Sequence, residues 1–162
     1  MTNQEIYNYY ESIPKTAKQP SRSRQITDHF NSLSVNERKS YIDFLYSLPE
    51  GENKVTSLTD ILRNQAVDDF WFNERIAIID GKSTYNWTPE QIEDIMNIDP
   101  KTGKMKSAAG RAKWIDADGN LKSYYGHHML NVDKYPEYAG DWRNIEGLDY
   151  DCGSGYAGSY NP

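Results

Sequence analysis

The sequence predicts an α+β fold, with helices in its first part and short strands in its second. Three observations predict it. Apolar residues recur at helical intervals behind side-chain caps as far as about residue 96. From residue 101 the texture changes to short runs separated by Gly, Asp and Asn. One of those runs carries two adjacent histidines, His127 and His128, out of three in 162 residues.

Thr2 and Glu5 have the spacing of a capping box, and Ile6, Tyr9, Tyr10 and Ile13 form a stripe that ends at Pro14. Residues 14–23, with two prolines and several basic side chains, read as a linker. Ile26, Phe30 and Leu33 mark a second helix. Ser34 and Glu37 repeat the capping box ahead of a third, with Tyr41, Phe44, Leu45 and Leu48 on one face. Pro49-Glu50-Gly51 stops it, and Ser57 can cap a further helix carrying Leu58, Ile61 and Leu62. Residues 70–80 are rich in aromatic and β-branched side chains, which favours a strand. Asp80-Gly81 is a turn signal, and residues 83–87 can return as the partner strand. Thr88-Pro89-Glu90-Gln91 is a helix start: Thr88 caps, Pro89 takes the first helical position and Gln91 reaches back. Ile92, Ile95 and Met96 give this helix its apolar face, and it is expected to end near Asp99-Pro100.

Beyond the polar turn at 101–104, residues 112–115 and 121–125 flank Asp116-Ala117-Asp118-Gly119-Asn120, a hairpin connection. That connection has some residues of a calcium loop but lacks the ligand spacing and terminal Glu of an EF-hand. The His pair follows in Gly126-His127-His128. Residues 131–143, with Pro136 and Gly140, are too irregular for a long element, whereas 144–148 alternate like a short strand. The remainder is rich in Gly, Ser and Tyr.

Composition bounds the function. Apolar residues make up 37% of the chain, supplemented by the ring area of 13 Tyr and 4 Trp. The single cysteine excludes an internal disulfide framework and a four-cysteine zinc cluster. No run of about 18 apolar residues exists, so no membrane span is expected. Met1-Thr2-Asn3-Gln4-Glu5 has neither the basic start nor the apolar run of a signal peptide. The net charge of −6 argues against a nucleic-acid binder taken as a whole. The charge is uneven, however. Lys101, Lys104, Lys106, Arg111, Lys113 and Lys122 face only Asp116 and Asp118 over residues 101–125, and such a stretch can hold a phosphate backbone.

Sequential residues of a strand point to opposite faces, so the two imidazoles divide. One can fix a metal ion while its neighbour moves a proton, a division that suits metal-assisted hydrolysis. His29, in Asp28-His29-Phe30 on a predicted helix, reads as a surface or boundary residue.

Gly126-His127-His128, followed after fifteen residues by Asn144-Ile145, resembles the HNH endonuclease superfamily, and within it the GHH-type nuclease domains of bacterial polymorphic toxins. Trp87-Thr88-Pro89-Glu90-Gln91-Ile92, Tyr135-Pro136 and Gly140-Asp141-Trp142-Arg143-Asn144-Ile145 are similar to segments of that family. The resemblance covers roughly residues 85–160. The stripes give a helical region over 1–80, acting as scaffold or partner-binding surface, and the resemblance implies a ββα-metal, HNH-like module over 81–162. It further implies His127 as first metal ligand, His128 as general base and Asn144 as the residue that pins the loop orienting His128. The family carries two more ligand positions four apart, usually histidines. Here Cys152 and Tyr156 have that spacing, with Asp149 or Asp151 as alternatives. A Cys152 thiolate suits zinc, whereas Asp151 suits magnesium or manganese. Arg111, Lys113 and Arg143 are the candidate phosphate contacts.

The implied function is a metal-dependent endonuclease cutting phosphodiester bonds, with DNA favoured over RNA. The family further implies a toxin or effector domain, secreted or delivered into a target cell without a signal peptide and acting in its cytoplasm. A cognate inhibitory immunity protein and a delivery-machine contact would accompany it. The alternatives are a degenerate HNH-like binding module that no longer cleaves, and an unrelated protein-interaction domain whose His pair is structural.

Overall fold

The structure, a computed structural model, describes residues 1–105, 113–115, 121–123 and 125–148. Side-chain caps determine where its helices begin. Thr2, Ser34 and Thr88 each accept from the backbone N–H three residues on, and Glu5, Glu37 and Gln91 return the bond to the cap's own N–H. They open α1 (Asn3–Ser12), α3 (Val35–Ser47) and α5 (Pro89–Met96), and Ser21 caps α2 (Arg22–Ser32) in the simpler one-bond manner. The fourth helix, α4 (Gly51–Ile79), is the longest at 29 residues. Two antiparallel pairs follow: β1 (Lys113–Ile115) with β2 (Leu121–Ser123), and β3 (Tyr125–His128) with β4 (Ile145–Leu148). The class is α+β.

The strand predicted over residues 70–80 is instead the last part of α4. Val55, Leu58, Leu62, Ala66 and Phe70 are buried at spacings of three and four, which keeps them on one helix face, and buried Trp71 beside Phe70 widens it. Burial of that face overrides the local β preference of the aromatic and β-branched side chains. Ser57 therefore lies inside the helix and caps nothing; the helix already begins at Gly51. The reversal out of α3 is made by Glu50, in the left-handed region at φ 54°. A Cβ on Gly51 would overlap the carbonyl oxygens of Leu45 and Tyr46, so the turn demands glycine there.

Asp80-Gly81 closes α4 instead of starting a hairpin. Gly81 has φ 69°. Its N–H donates to the Ile78 carbonyl at 3.2 Å, and the Lys82 N–H donates to the Ala77 carbonyl at 2.8 Å. This is the paired bonding of a Schellman cap. Residues 83–87 accordingly form no strand. α5 stops at Met96, short of Asp99-Pro100, and residues 99–104 form a tight polar turn in which the Gly103 N–H donates to the Asp99 carbonyl at 2.7 Å.

The chain clusters into two compact units, Met1–Ala66 with Leu130–Asp141, and Val67–Met129 with Trp142–Pro162. This is not the division at residue 80 expected from the sequence, because α4 runs on past the point where a strand was expected and contributes core residues to each unit.

In the first unit, Ile6, Tyr10, Ile26, Phe30, Tyr41, Ile42, Leu45, Leu58 and Leu62 form the core with Val132 and Ala139. Arg38 fastens it. Its guanidinium donates to the carbonyls of Phe30 (3.1 Å), Leu33 (3.1 Å), Asn31 (2.7 Å) and Glu137 (3.3 Å), and lies 5.9 Å from the Phe30 ring centroid. One rigid fork of donors thus serves the carbonyls at the C-terminal end of α2, Phe30 sharing its oxygen with the Leu33 N–H at 3.2 Å. Nearby, the Tyr10 hydroxyl and His29 Nδ1 lie 2.8 Å apart. Burial raises the Tyr10 phenol above its usual range and holds the half-buried His29 imidazole below its ordinary pKa.

Two outcomes are expected. Arg38→Ala should lower the unfolding free energy by roughly 2–4 kcal/mol in urea denaturation, because the carbonyls of Asn31, Leu33 and Glu137 lose the guanidinium together and Phe30 keeps only the Leu33 N–H. Arg38→Lys should recover little of it, since an ammonium cannot reproduce the fork. His29 favours the neutral ring when folded, so the unfolded chain binds the extra proton as pH falls below about 6.5. Its contribution is complete above that pH and is lost as the medium becomes more acidic. The melting temperature should drop between pH 7.5 and 5, and drop less in His29→Gln.

Candidate active site

The second unit is organised on the last part of α4. Phe70 meets Trp71 edge-on at 5.0 Å, and Tyr85 stacks on Trp87 at 5.0 Å with an interplanar angle of 6°. Glu74 is buried beneath these rings and accepts from Trp87 Nε1 at 2.6 Å and from Ser83 Oγ at 2.7 Å. Residues 83–87 are therefore held to α4 by rings and a buried carboxylate, the side-chain alternative to the strand pairing expected of them.

Against this face lies the β3–β4 ribbon. Its register pairs Gly126 with Gly147, His127 with Glu146 and His128 with Ile145. The Met129 N–H donates to the Asn144 carbonyl at 2.8 Å and continues the ladder by one rung. Alternation places Gly126, His128, Ile145 and Gly147 on one face and His127 with Glu146 on the other. The first face packs on α4 closely enough to exclude side chains at both glycines. A Cβ on Gly126 would lie 2.7 Å from Ile145 Cγ2 and 3.0 Å from Val67 Cγ2. On Gly147 it would lie 2.6 Å from Phe70 Cε2 and 3.1 Å from Trp71 Cη2. The outward N–H of Gly147 donates to the Tyr85 hydroxyl at 3.0 Å.

The two histidines thus face opposite ways, as strand geometry requires. His127 is exposed, directly across from the half-buried Glu146, and His128 is half-buried on the face that meets α4. Asn144 is fully buried, and its main-chain carbonyl ties it to the residue after His128. Arg143 is exposed and lines a cavity of about 300 Å³ together with Met129, Ile145, Glu74 and Lys82. Lys113 opens β1, opposite Ser123. Arg111, Asp149, Asp151, Cys152 and Tyr156 lie outside the described residues.

Among the described residues no group of three His, Cys, Asp or Glu side chains gathers in a way that could hold a metal ion. Two donors do share a face at one rung, the His127 imidazole and the Glu146 carboxylate, and directly opposed side chains are about 5 Å apart at Cβ. A borderline divalent cation accepts nitrogen and carboxylate oxygen together, so this pair fits part of its coordination shell. Sequence reasoning missed Glu146. The alternation from Asn144 placed it on a strand, but only the register shows that it faces His127. Glu74 and Lys82 were missed because the segment was read as strand and turn.

Gly147→Ala should destabilise the chain by about 1–3 kcal/mol in thermal or urea unfolding, since the added methyl meets a packed ring. The pair Gly147→Ala with Phe70→Leu should be less destabilised than the sum of the two single changes.

Comparison of the chain with family models, with curated proteins and with solved structures finds no match.

Proposed function

We propose that this chain is a metal-dependent nuclease that hydrolyses phosphodiester bonds, with DNA as its first substrate, and that it serves as the effector domain of a bacterial competition system. One observation carries the reading. The strand bearing the adjacent histidines pairs with the strand that follows Asn144, which sets His127 across from Glu146 and leaves His128 on the other face. This is the order of parts, two antiparallel strands joined by a loop that ends in a buried Asn, that the HNH resemblance calls for.

The roles follow from chemistry. His127 and Glu146 would hold a divalent cation, with Asp151 or Cys152 as further ligands. Such an ion would supply positive charge for the scissile phosphate and the leaving oxygen. His128 takes a proton from the attacking water, for which an imidazole suits neutral pH. Asn144, buried and bonded through its carbonyl to the Met129 N–H, positions the end of the His128 strand. Arg143 supplies a guanidinium to the phosphate backbone, a group suited to bidentate contact with its oxygens. A nuclease of this kind endangers the cell that makes it. The proposal therefore includes a cognate inhibitory partner and a delivery route into the cytoplasm of a target cell.

Plasmid cleavage with magnesium, manganese and zinc tests the reading. His128→Ala should lose about 10²–10⁴-fold in rate with its circular dichroism unchanged. His127→Ala and Glu146→Gln should each abolish the metal-induced rise in melting temperature that wild type shows. Full cleavage by His128→Ala would remove the general base and, with it, the proposal.

A further inference from the structure

The cavity beside the end of the β3–β4 ribbon has a volume of about 300 Å³, at the lower end of the range for small-ligand sites. Three kinds of side chain meet there. Phe70, Tyr85 and Trp142 supply ring surface, and Trp142 is 38% exposed. Lys82 and Arg143, both exposed, supply positive charge. Glu74, only 6% exposed, supplies a carboxylate.

The hydrogen bonding of Glu74 is one-sided. Ser83 Oγ and Trp87 Nε1 both donate to Oε2, and among the described residues no donor reaches Oε1. These two bonds hold the carboxylate in one orientation, with Oε1 turned from them. Oε1 is not a sealed, unpartnered atom: Glu74 lines the open cavity, so solvent serves Oε1 and a ligand N–H can take that place. The rings and the two cations around it narrow the ligand further, to a flat group carrying an anion.

We propose that this cavity binds one unstacked nucleotide, its amino-bearing base edge hydrogen-bonded to Glu74 and its phosphate held by Lys82 and Arg143. The proposal rests on the nucleic-acid reading above and adds a base preference to it. Guanine, adenine and cytosine each present an exocyclic amino N–H, a suitable donor to a carboxylate, and guanine adds a second beside it. Uracil and thymine offer one ring N–H flanked by two carbonyl oxygens, which a carboxylate repels. Stacking on the rings accepts any base, and the attraction of the two cations for phosphate is equally indifferent. Discrimination therefore falls to Glu74. The cavity includes Met129 and Ile145, the residue after His128 and the residue opposite it, so a base held here lies beside the proposed site of cleavage.

Isothermal titration of the full chain with GMP, AMP, CMP and UMP, in the absence of metal, tests this. The three amino-bearing nucleotides should bind about tenfold or more tightly than UMP. Glu74→Gln should largely level that ranking. Arg143→Glu, at an exposed position, should weaken all four by about tenfold or more and reduce the salt dependence of binding. Equal affinity for the four, binding of none, or an unchanged ranking in Glu74→Gln would overturn the proposal. Should Glu74→Gln fail to fold, the wild-type ranking and Arg143→Glu decide it. Plasmid cleavage by the same preparation separates the two readings. Cleavage without nucleotide binding removes the base cavity alone, whereas ranked binding without cleavage supports the cavity and removes the nuclease.

Discussion

Two glycines facing each other across a strand pair set the geometry on which the candidate site depends. Gly126 and Gly147 meet at one rung, and neither has room for a β-carbon against Val67, Phe70 or Trp71. The ribbon therefore lies with its backbone almost against α4. Close approach fixes its height and its facing together, because a slip of one residue would drive Glu146 into the rings and expose Ile145. His127 and His128 inherit their opposite orientations from that constraint. Gly126 is also the first residue of the Gly-His-His run, so the element that carries the histidines brings its own means of seating them.

How much of this was legible in the sequence depended on the range of the determining interaction. Capping boxes act over three residues, and Thr2, Ser34 and Thr88 were readable as helix starts. The end of α3 was readable from Pro49-Glu50-Gly51 for the same reason. Residues 70–79 were not. Their composition favours a strand, and only the continued burial of Ala66, Phe70 and Trp71 along one face of a long helix decides otherwise. Asp80-Gly81 then served a helix terminus, a role that the same dipeptide can fill as readily as a hairpin.

The site divides in the same way. The His pair and the strand after Asn144 were readable because alternation is local. Glu146 as the partner of His127 was not, since the sixteen residues between β3 and β4 conceal the register. Glu74 was harder still to foresee. A glutamate in an acidic helical stretch ordinarily faces solvent, and nothing local announces that Trp87 and Ser83 return to it from beyond the helix end. Its burial is supported by two neutral donors, with no opposite charge among the hydrogen bonds it makes.

The bond from the Gly147 amide to the Tyr85 hydroxyl carries a consequence for solubility. An isolated two-stranded ribbon leaves unfulfilled amides along its outer margins, and such margins invite strands from other molecules. A phenol seated on one of these amides occupies a contact that an incoming chain would need. Beside the catalytic candidates, one of the backbone contacts that edge-on stacking would use is thereby already taken.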